Sequence, residues 1–189
     1  MTCPERALPD AARRISAAIP ELLTPRLRLR APAIADLPPL QAMLESPRAQ
    51  FIGGPYPADR THGFLAAEAG CWLLYGFGYW SVEARATGAL LGSVGLCHIP
   101  EFPERELGWM LLPSAEGQGF AQEAGAAARD YAFGPLGWPT LVSYIHPQNA
   151  RSIRVAKALG AKHEPQTKGP EPGDLVFRHP KPAPRNPAP

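Results

Sequence analysis

Cysteine is scarce in this chain, and what there is builds no framework. Cys3, Cys71 and Cys97 are odd in number and show no CxxC spacing, which argues against a disulfide scaffold and against a zinc knuckle. The five histidines are scattered without an HxxxH pair, so no metal is expected. Long apolar runs are missing too: none reaches the roughly 18 residues that a membrane span needs. The first residues, which include Pro4, Glu5 and Asp10, lack the apolar core of a signal peptide. A reduced, cytoplasmic setting is the expectation. No sign of charge dominates either. A net charge of +2, with basic and acidic residues mixed along the chain, gives no reason to expect nucleic acid or a membrane as partner.

What is present points to one folded unit. The 189 residues fall inside the usual domain range of roughly 100–200. Hydrophobic residues at 45% against 19% charged make a globular balance, not that of a disordered chain. Proline is concentrated at one end: Pro180, Pro182, Pro184, Pro187 and Pro189 crowd the last ten positions. Residues 180–189 are therefore expected to be a disordered tail. Residues 1–21 are expected to be peripheral, which leaves 22–179 as the single domain.

Within that span the hydrophobic period changes twice. Leu27 and Leu29 alternate with Arg26, Arg28 and Arg30, the period-2 pattern of a half-buried strand. Asp36 precedes Leu37, Leu40 and Leu44, which predicts a helix with Asp36 as N-cap and Pro38 and Pro39 in its first turn. A second helix is expected over Thr61 to Leu74. Tyr79 to Glu83, Ala89 to His98 and Arg105 to Leu112 read as three strands of an antiparallel meander. Phe120, Ala124, Ala127, Ala128 and Tyr131 then return to helical spacing. Leu141 to Ile145 reads as a strand, Ala150 to Leu159 as a helix and Leu175 to Phe177 as a last strand. Antiparallel strands feeding a β-loop-α-β-α unit make a mixed α/β (α+β) sheet flanked by helices.

The informative stretch runs from Glu106 to Ala124. A strand ends at Leu112-Pro113, and Gly117 and Gly119 open a helix. Glycines there let the backbone turn tightly and approach a ligand. The first N–H groups of the helix point the same way, at the positive end of its dipole, which suits a phosphate or diphosphate. A loop that only reverses the chain is the alternative. Two other phosphate loops fit poorly. Gly119 is followed by Phe120, not by the Lys of a Walker loop. Gln122 stands where a dinucleotide fingerprint needs a small residue, and no acid lies about 20 residues on.

The segment Glu116-Gly117-Gln118-Gly119-Phe120-Ala121 resembles the coenzyme A diphosphate loop of GNAT N-acetyltransferases, with Glu116 where the family carries Gln or Arg. The likeness extends to Thr24–Arg30 with Asp36, Tyr79–Val82, Leu91–Leu96, Glu106–Trp109, Gly119–Ala124, and Asn149-Ala150-Arg151-Ser152 through Leu159-Gly160-Ala161. In that order these motifs look like the RimJ/RimL-type branch, which acetylates ribosomal-protein N-termini and various small amines. The resemblance implies a single-domain GNAT fold, a mostly antiparallel sheet with a splayed central strand pair, acetyl-CoA as cosubstrate, and an amine acceptor attacked without a covalent enzyme intermediate.

It also implies residue roles. In the family the strand before the loop splays from its neighbour at a bulge, and the pantetheine arm pairs with the freed edge. Here that edge is Trp109-Met110-Leu111-Leu112, with the Met110 or Leu111 N–H expected to meet the developing oxyanion. Backbone contacts to the diphosphate fall to Gly117, Gln118, Gly119, Phe120, Ala121 and Gln122. Glu106, on the same strand, is the leading general base; a solvated carboxylate, or a partner of Arg105 or an N-terminal arginine, is its bland reading. Glu104 is a weaker candidate. The tyrosine that protonates the thiolate in many relatives is replaced by Ala156. Ser152 matches the serine of RimL-type Asn-x-x-Ser, although Ser and Asn also favour helix starts as caps. Asn149 is expected to cap the helix and to touch the cofactor. Arg151, Arg154 and Lys157 either meet the ribose 3′-phosphate or form a solvated face. Cys97 and His98 point to opposite faces of a strand, which disfavours a covalent cysteine. The acceptor cleft should be bordered by residues 46–57 and 164–174. The oligomeric state, monomer or homodimer, stays open. A non-catalytic acyl-CoA-binding module is the competing function.

Overall fold

The computed structural model describes residues 10–182. In chain order its helices and strands are α1 (Asp10–Ala18), β1 (Leu22–Leu23), β2 (Leu27–Arg30), α2 (Leu37–Leu44), α3 (Ala58–Tyr75), β3 (Tyr79–Ala84), β4 (Leu90–Cys97), β5 (Glu106–Leu111), α4 (Phe120–Phe133), β6 (Val142–Ile145), α5 (Ala150–Ala158), β7 (Lys162–His163) and β8 (Leu175–Arg178). The eight strands form one sheet in the order β1-β2-β3-β4-β5-β6-β8-β7. All pairs are antiparallel except β5–β6, which is parallel. This is the mixed α/β architecture that the motifs imply.

Alternation along the strands sorts the side chains onto two faces. Leu107 of β5 and Val94 and Leu96 of β4 join Ala124, Ala128 and Ala132 of α4 in the main core. Met110 and Leu112 pack instead with Leu40, Met43 and Leu44 of α2 and Leu65 of α3. Small residues on α4 let the helix lie close to the sheet. Trp80, fully buried, anchors the N-terminal segment by donating its indole N–H to the Pro20 carbonyl at 2.7 Å.

Asp36 departs from its expected part. It occupies the N-cap position of α2, but its side chain makes no capping bond there. The carboxylate turns back to Arg30 (2.7 and 2.9 Å), the Ala33 N–H (2.9 Å) and the Ser81 hydroxyl (2.6 Å). A guanidinium fork is a stronger partner than one backbone amide, and at 3% exposure the carboxylate needs several donors. The expected proline-rich tail lies, from residue 183, outside the described residues. Its first positions are placed, with Pro180 against Gly160 and the Lys181 ammonium 6.0 Å above the Phe133 ring.

Candidate active site

The β5–β6 ladder consists of a single residue pair, Glu106 with Val142. Its apex is fixed by two bonds: the Val142 N–H reaches the Arg105 carbonyl at 2.9 Å, and the Ser143 hydroxyl donates to the Leu107 carbonyl at 2.6 Å. A side chain thus takes the place of the next backbone rung, and beyond it the strands part. Because the Ser143 proton is committed to Leu107, the Nε2 of His179, 2.9 Å away, must donate to the serine oxygen. That leaves Nδ1 bare, and it is the buried side-chain polar atom without a partner among the described residues. Burial, helped by Arg129, lowers the His179 pKa to about 4, so the brace is neutral. Neither Ser143 nor His179 stands out in the sequence, since a lone Ser in a strand carries no spacing signal.

The register decides which amides face the split. Carbonyls of Arg105 and Leu107 point to β6, whereas the Leu112 N–H bonds back to Leu91 of β4 at 2.8 Å. Backbone groups alternate sides along an antiparallel strand, so Trp109 and Leu111 present their N–H groups to the split. The Met110 amide faces Ser93 of β4, its register partner. Met110 is therefore corrected from amide donor to side-chain lining, and the Leu112 amide is likewise committed to β4. The register of β4 against β5 is unbroken; the irregularity lies one strand away, between Val82/Glu83 and Leu90–Gly92. The splay needs no bulge on β5 itself.

At the outer end of the split lies the glycine turn. Gly117 and Gly119 have φ of 74° and 77°, in the left-handed region where a Cβ is disfavoured. A Cβ at Gly117 would meet nothing within 4 Å, and one at Gly119 only Arg26, at 3.6 Å. Gly119 is the N-cap of α4 and provides no side chain to it. The first bond into the helix from this turn is Glu123 N–H to the Gly119 carbonyl, so the preceding amides are the unsatisfied donors of the helix start. Arg26 braces the turn. It bonds the Gln118 carbonyl at 2.9 Å, pairs with Glu123 at 2.6 Å and lies 4.6 Å above the Phe120 ring. From its spacing Arg26 reads only as part of the first strand pattern; its contact partners here lie more than 90 residues away. The Gln118 side chain folds onto the Ser114 carbonyl at 2.9 Å, which leaves its backbone, not its amide group, for a ligand.

A cleft of about 610 Å³ joins these parts. Trp109, Met110, Leu111, Gly117, Gly119, Phe120, Ala121, Gln122, Asn149 and Ser152 line it, with Met43, Phe51 and Ile52 on the other wall. Asn149 caps α5, accepting from the Ser152 N–H at 3.2 Å. The Ser152 hydroxyl, which makes no hydrogen bond among the described residues, is free for a ligand. Glu116 is held by Arg48 and, at 3.0 Å, by both contacts from Arg151. Partial burial pushes its pKa up, but the Arg48 bond and the two cationic charges outweigh this and hold it below the ordinary value. Arg151 and Arg154 line the cleft.

Glu106 sits nearer the apex, outside that lining. Burial raises its pKa to about 8 against a bond from the Tyr144 backbone N–H, and Asp174 adds to the rise. None of the arginines offered as its partner holds it: Arg105 lies over Trp138 at 5.3 Å, while Arg26, Arg28 and Arg30 pair with Glu123, Glu21, Glu83 and Asp36. Glu104 is different. Arg178 grips it at 2.7 and 2.8 Å and lowers its pKa, which makes it a poor base. Segment 164–174 does reach this end, with Gly169 packed between Asp174 and Tyr144. Cys97 is buried, its thiol pushed up to about 12 by burial and by Glu106, and His98 is exposed just past the end of β4.

Comparison with known proteins agrees with this geometry. A family model described as an acetyltransferase (GNAT) domain matches residues 26–162. The crystal structure of an acetyltransferase from Agrobacterium tumefaciens str. C58 is 42% identical, with a TM-score of 0.82 over 86% of this chain and 95% of that one. A spermidine N-acetyltransferase from Vibrio cholerae, solved with CoA and spermine, shares the fold at 20% identity and a TM-score of 0.64, covering 82% of this chain and 94% of its own. Bacillus subtilis YkkB, an uncharacterized protein, is 37% identical over 90 residues, 46% of this chain and 51% of YkkB. The chain thus spans about half the length of that curated relative. No helix among the described residues is long and apolar enough to cross a membrane. With its sheet, its split and its glycine turn in the family's order, the chain belongs to the GNAT acetyltransferase family.

Proposed function

We propose that this protein transfers acetyl from acetyl-CoA to a primary amine, a protein N-terminus or a small-molecule amine, by direct attack, and that it stands with the RimJ/RimL-type enzymes, whose Asn-x-x-Ser it carries at Asn149 and Ser152. Residues 22–179 form the catalytic unit. The observation that carries this is the β5–β6 split opening directly onto the unsatisfied amides of the Gly117–Gln122 turn. Acetyl-CoA supplies an activated thioester; the residues present fit it, with open space before Gly117, only the Arg26 guanidinium near Gly119, and a cleft that continues inward along β5.

The chain's own groups divide the work. Backbone amides from Gly117 to Gln122 bind the diphosphate. The arm enters from the turn and runs inward, so the Leu111 N–H meets it first. The Trp109 N–H, one rung further in, faces the developing negative charge on the acyl oxygen; this revises the assignment read from sequence. Glu106, with a pKa of about 8, takes a proton from the acceptor ammonium. An α-ammonium titrates at roughly 8 and an alkyl ammonium at roughly 10, so this transfer is nearly balanced for a protein N-terminus and uphill by about two units for an alkyl amine. The Ser152 hydroxyl holds or supplies the proton needed by the departing thiolate. Trp109, Phe120 and Met110 exclude water from the arm.

Thiol release from acetyl-CoA across a panel of peptides and small amines tests this. Turnover with an amine is expected from the parent, and its loss, together with loss of acetyl-CoA binding, from Gly119→Glu. Binding without turnover on any amine favours the non-catalytic module. A Gly119→Glu variant that binds as the parent does contradicts the loop assignment.

A further inference from the structure

Glu106 stands three residues from Trp109, roughly 10 Å along a strand, and a glutamate side chain spans less than half of that. Something must occupy the interval if the base serves a reaction at Trp109. The intervening residue on the Glu106 face is Gly108, and the sheet places a side chain over it. Tyr79 of β3 pairs with Gly95 of β4, and Gly95 pairs with Gly108 of β5. A Cβ at Gly95 would collide with the Tyr79 ring, and one at Gly108 would collide with the Tyr79 hydroxyl. Two glycines in register therefore form a slot in which the phenol lies flat across β4 and sets its oxygen on β5.

We propose that the Tyr79 hydroxyl is a positioning group of the acceptor site, bridging Glu106 to the acceptor amine through a hydrogen-bonded water. This rests on the acetyl-transfer reading above. Several features support it. The hydroxyl has no hydrogen-bond partner among the described residues, although the ring is largely enclosed. A residue two positions away on the same strand face lies about 7 Å off, so the Glu106 carboxyl and the phenol oxygen fall within reach of one shared water. Burial and the neighbouring Glu106 raise the Tyr79 pKa well above its ordinary value, so the phenol stays a donor throughout the working range. The titratable groups around Glu106 and Tyr79 come from several adjoining elements: Cys97 on β4, Tyr144 on β6, Asp174 before β8, and Glu68 and Cys71 on α3 beside Tyr79. Tyr144 accepts the Glu104 N–H at 2.9 Å, which ties its oxygen to the Glu104 backbone, whereas the Tyr79 hydroxyl makes no hydrogen bond among the described residues. In sequence, a Tyr opening a strand and two separate glycines carry no joint signal; only the cross-strand register unites them.

Tyr79→Phe keeps the ring in its slot and removes the oxygen alone. It is expected to lower kcat/KM for the amine about tenfold, the worth of one hydrogen bond to a charged group, and to leave KM for acetyl-CoA within about twofold. The acid limb of the kcat/KM profile is expected to move up by about half a unit to one unit, since a carboxylate that loses a donor is easier to protonate. Gly108→Ala puts a methyl where the oxygen sits and is expected to be as damaging in the parent, yet to add little in the Tyr79→Phe background. Carbon-13 titration of the Glu106 carboxyl in parent and Tyr79→Phe reads the same coupling without turnover. An unmoved carboxyl pKa, or additive losses in the double variant, overturns the role of Tyr79 while leaving acetyl transfer standing. A coupled titration in a protein that acetylates no amine overturns the acetyl-transfer reading and the acceptor role with it.

Discussion

Arg48 and Glu116, 68 residues apart in the chain, form an ion pair across the cleft. Arg48 belongs to the turn at Pro47–Ile52, on the wall opposite α5, and Glu116 opens the glycine turn. With Arg151 at 3.0 Å on the other side, the carboxylate occupies two cations beside the place assigned to a diphosphate. Replacing it with the neutral amide in Glu116→Gln frees both and removes a like charge. Acetyl-CoA affinity is expected to rise by about three- to tenfold at low salt, a modest figure because the pair is partly exposed and screened. Calorimetric titration at two ionic strengths measures this; weaker binding would show instead that Glu116 organises the site.

Glu106→Gln keeps shape and removes the carboxylate proposed as base. A loss of about 10²-fold in kcat/KM for the amine is expected, with acetyl-CoA binding unchanged. In the parent, activity should rise with pH through about 8, where the carboxyl ionises. A pH–rate profile that is flat between 6 and 9 in the parent contradicts Glu106 as base.

Glu68, 6% exposed, has Ser93 as its hydrogen-bond partner at 2.9 Å. Burial raises its pKa to about 7, opposed by Ser93 and reinforced by Asp36. A carboxyl that ionises near 4.3 when unfolded is then held neutral in the native state between those values. Its favourable contribution is fully present below about pH 4.3 and is lost as pH rises to 7. Glu68→Gln, neutral throughout, should match the parent in stability at pH 4.5 and exceed it by about 3 kcal/mol above pH 7. Denaturant unfolding at the two pH values gives the comparison; a constant difference refutes it.

Asp36 carries the strongest structural prediction. Asp36→Ala strands half of the Arg30 fork and frees the Ala33 N–H and Ser81 hydroxyl. Breaking such a buried pair costs about 3–5 kcal/mol, read as a fall in the denaturation midpoint at unchanged slope. A loss below about 1 kcal/mol would mean that Glu83, bonded to Arg30 at 2.6 Å, suffices alone.

Much of this was legible in the residues. The period-2 arginine–leucine run gave β2, and the glycine pair after a strand gave the α4 start, because both are local signals. The short strands β1 and β7, the helix α1 and the turn at Pro47–Ile52 were not seen; each is defined by what it packs on, not by its own pattern. The same holds at the site. Gly117, Gly119, Asn149 and Ser152 line one cleft as the motifs imply. Which amide of Met110 and Leu111 faces it depended on strand register, which no periodicity reveals. Ser143, His179, Arg26 and Tyr79 act through partners distant in sequence, so only the folded chain unites them.

In the proposed complex the Gly117–Gln122 amides hold a diphosphate while the Trp109–Leu111 edge pairs with the thioester arm. A crystal structure with coenzyme A decides this. Diphosphate oxygens are expected within hydrogen-bond distance of those turn amides, and arm amides paired to the Leu111 backbone inside the β5–β6 split. Coenzyme A lodged elsewhere, or a split left unentered with the ligand bound, contradicts it.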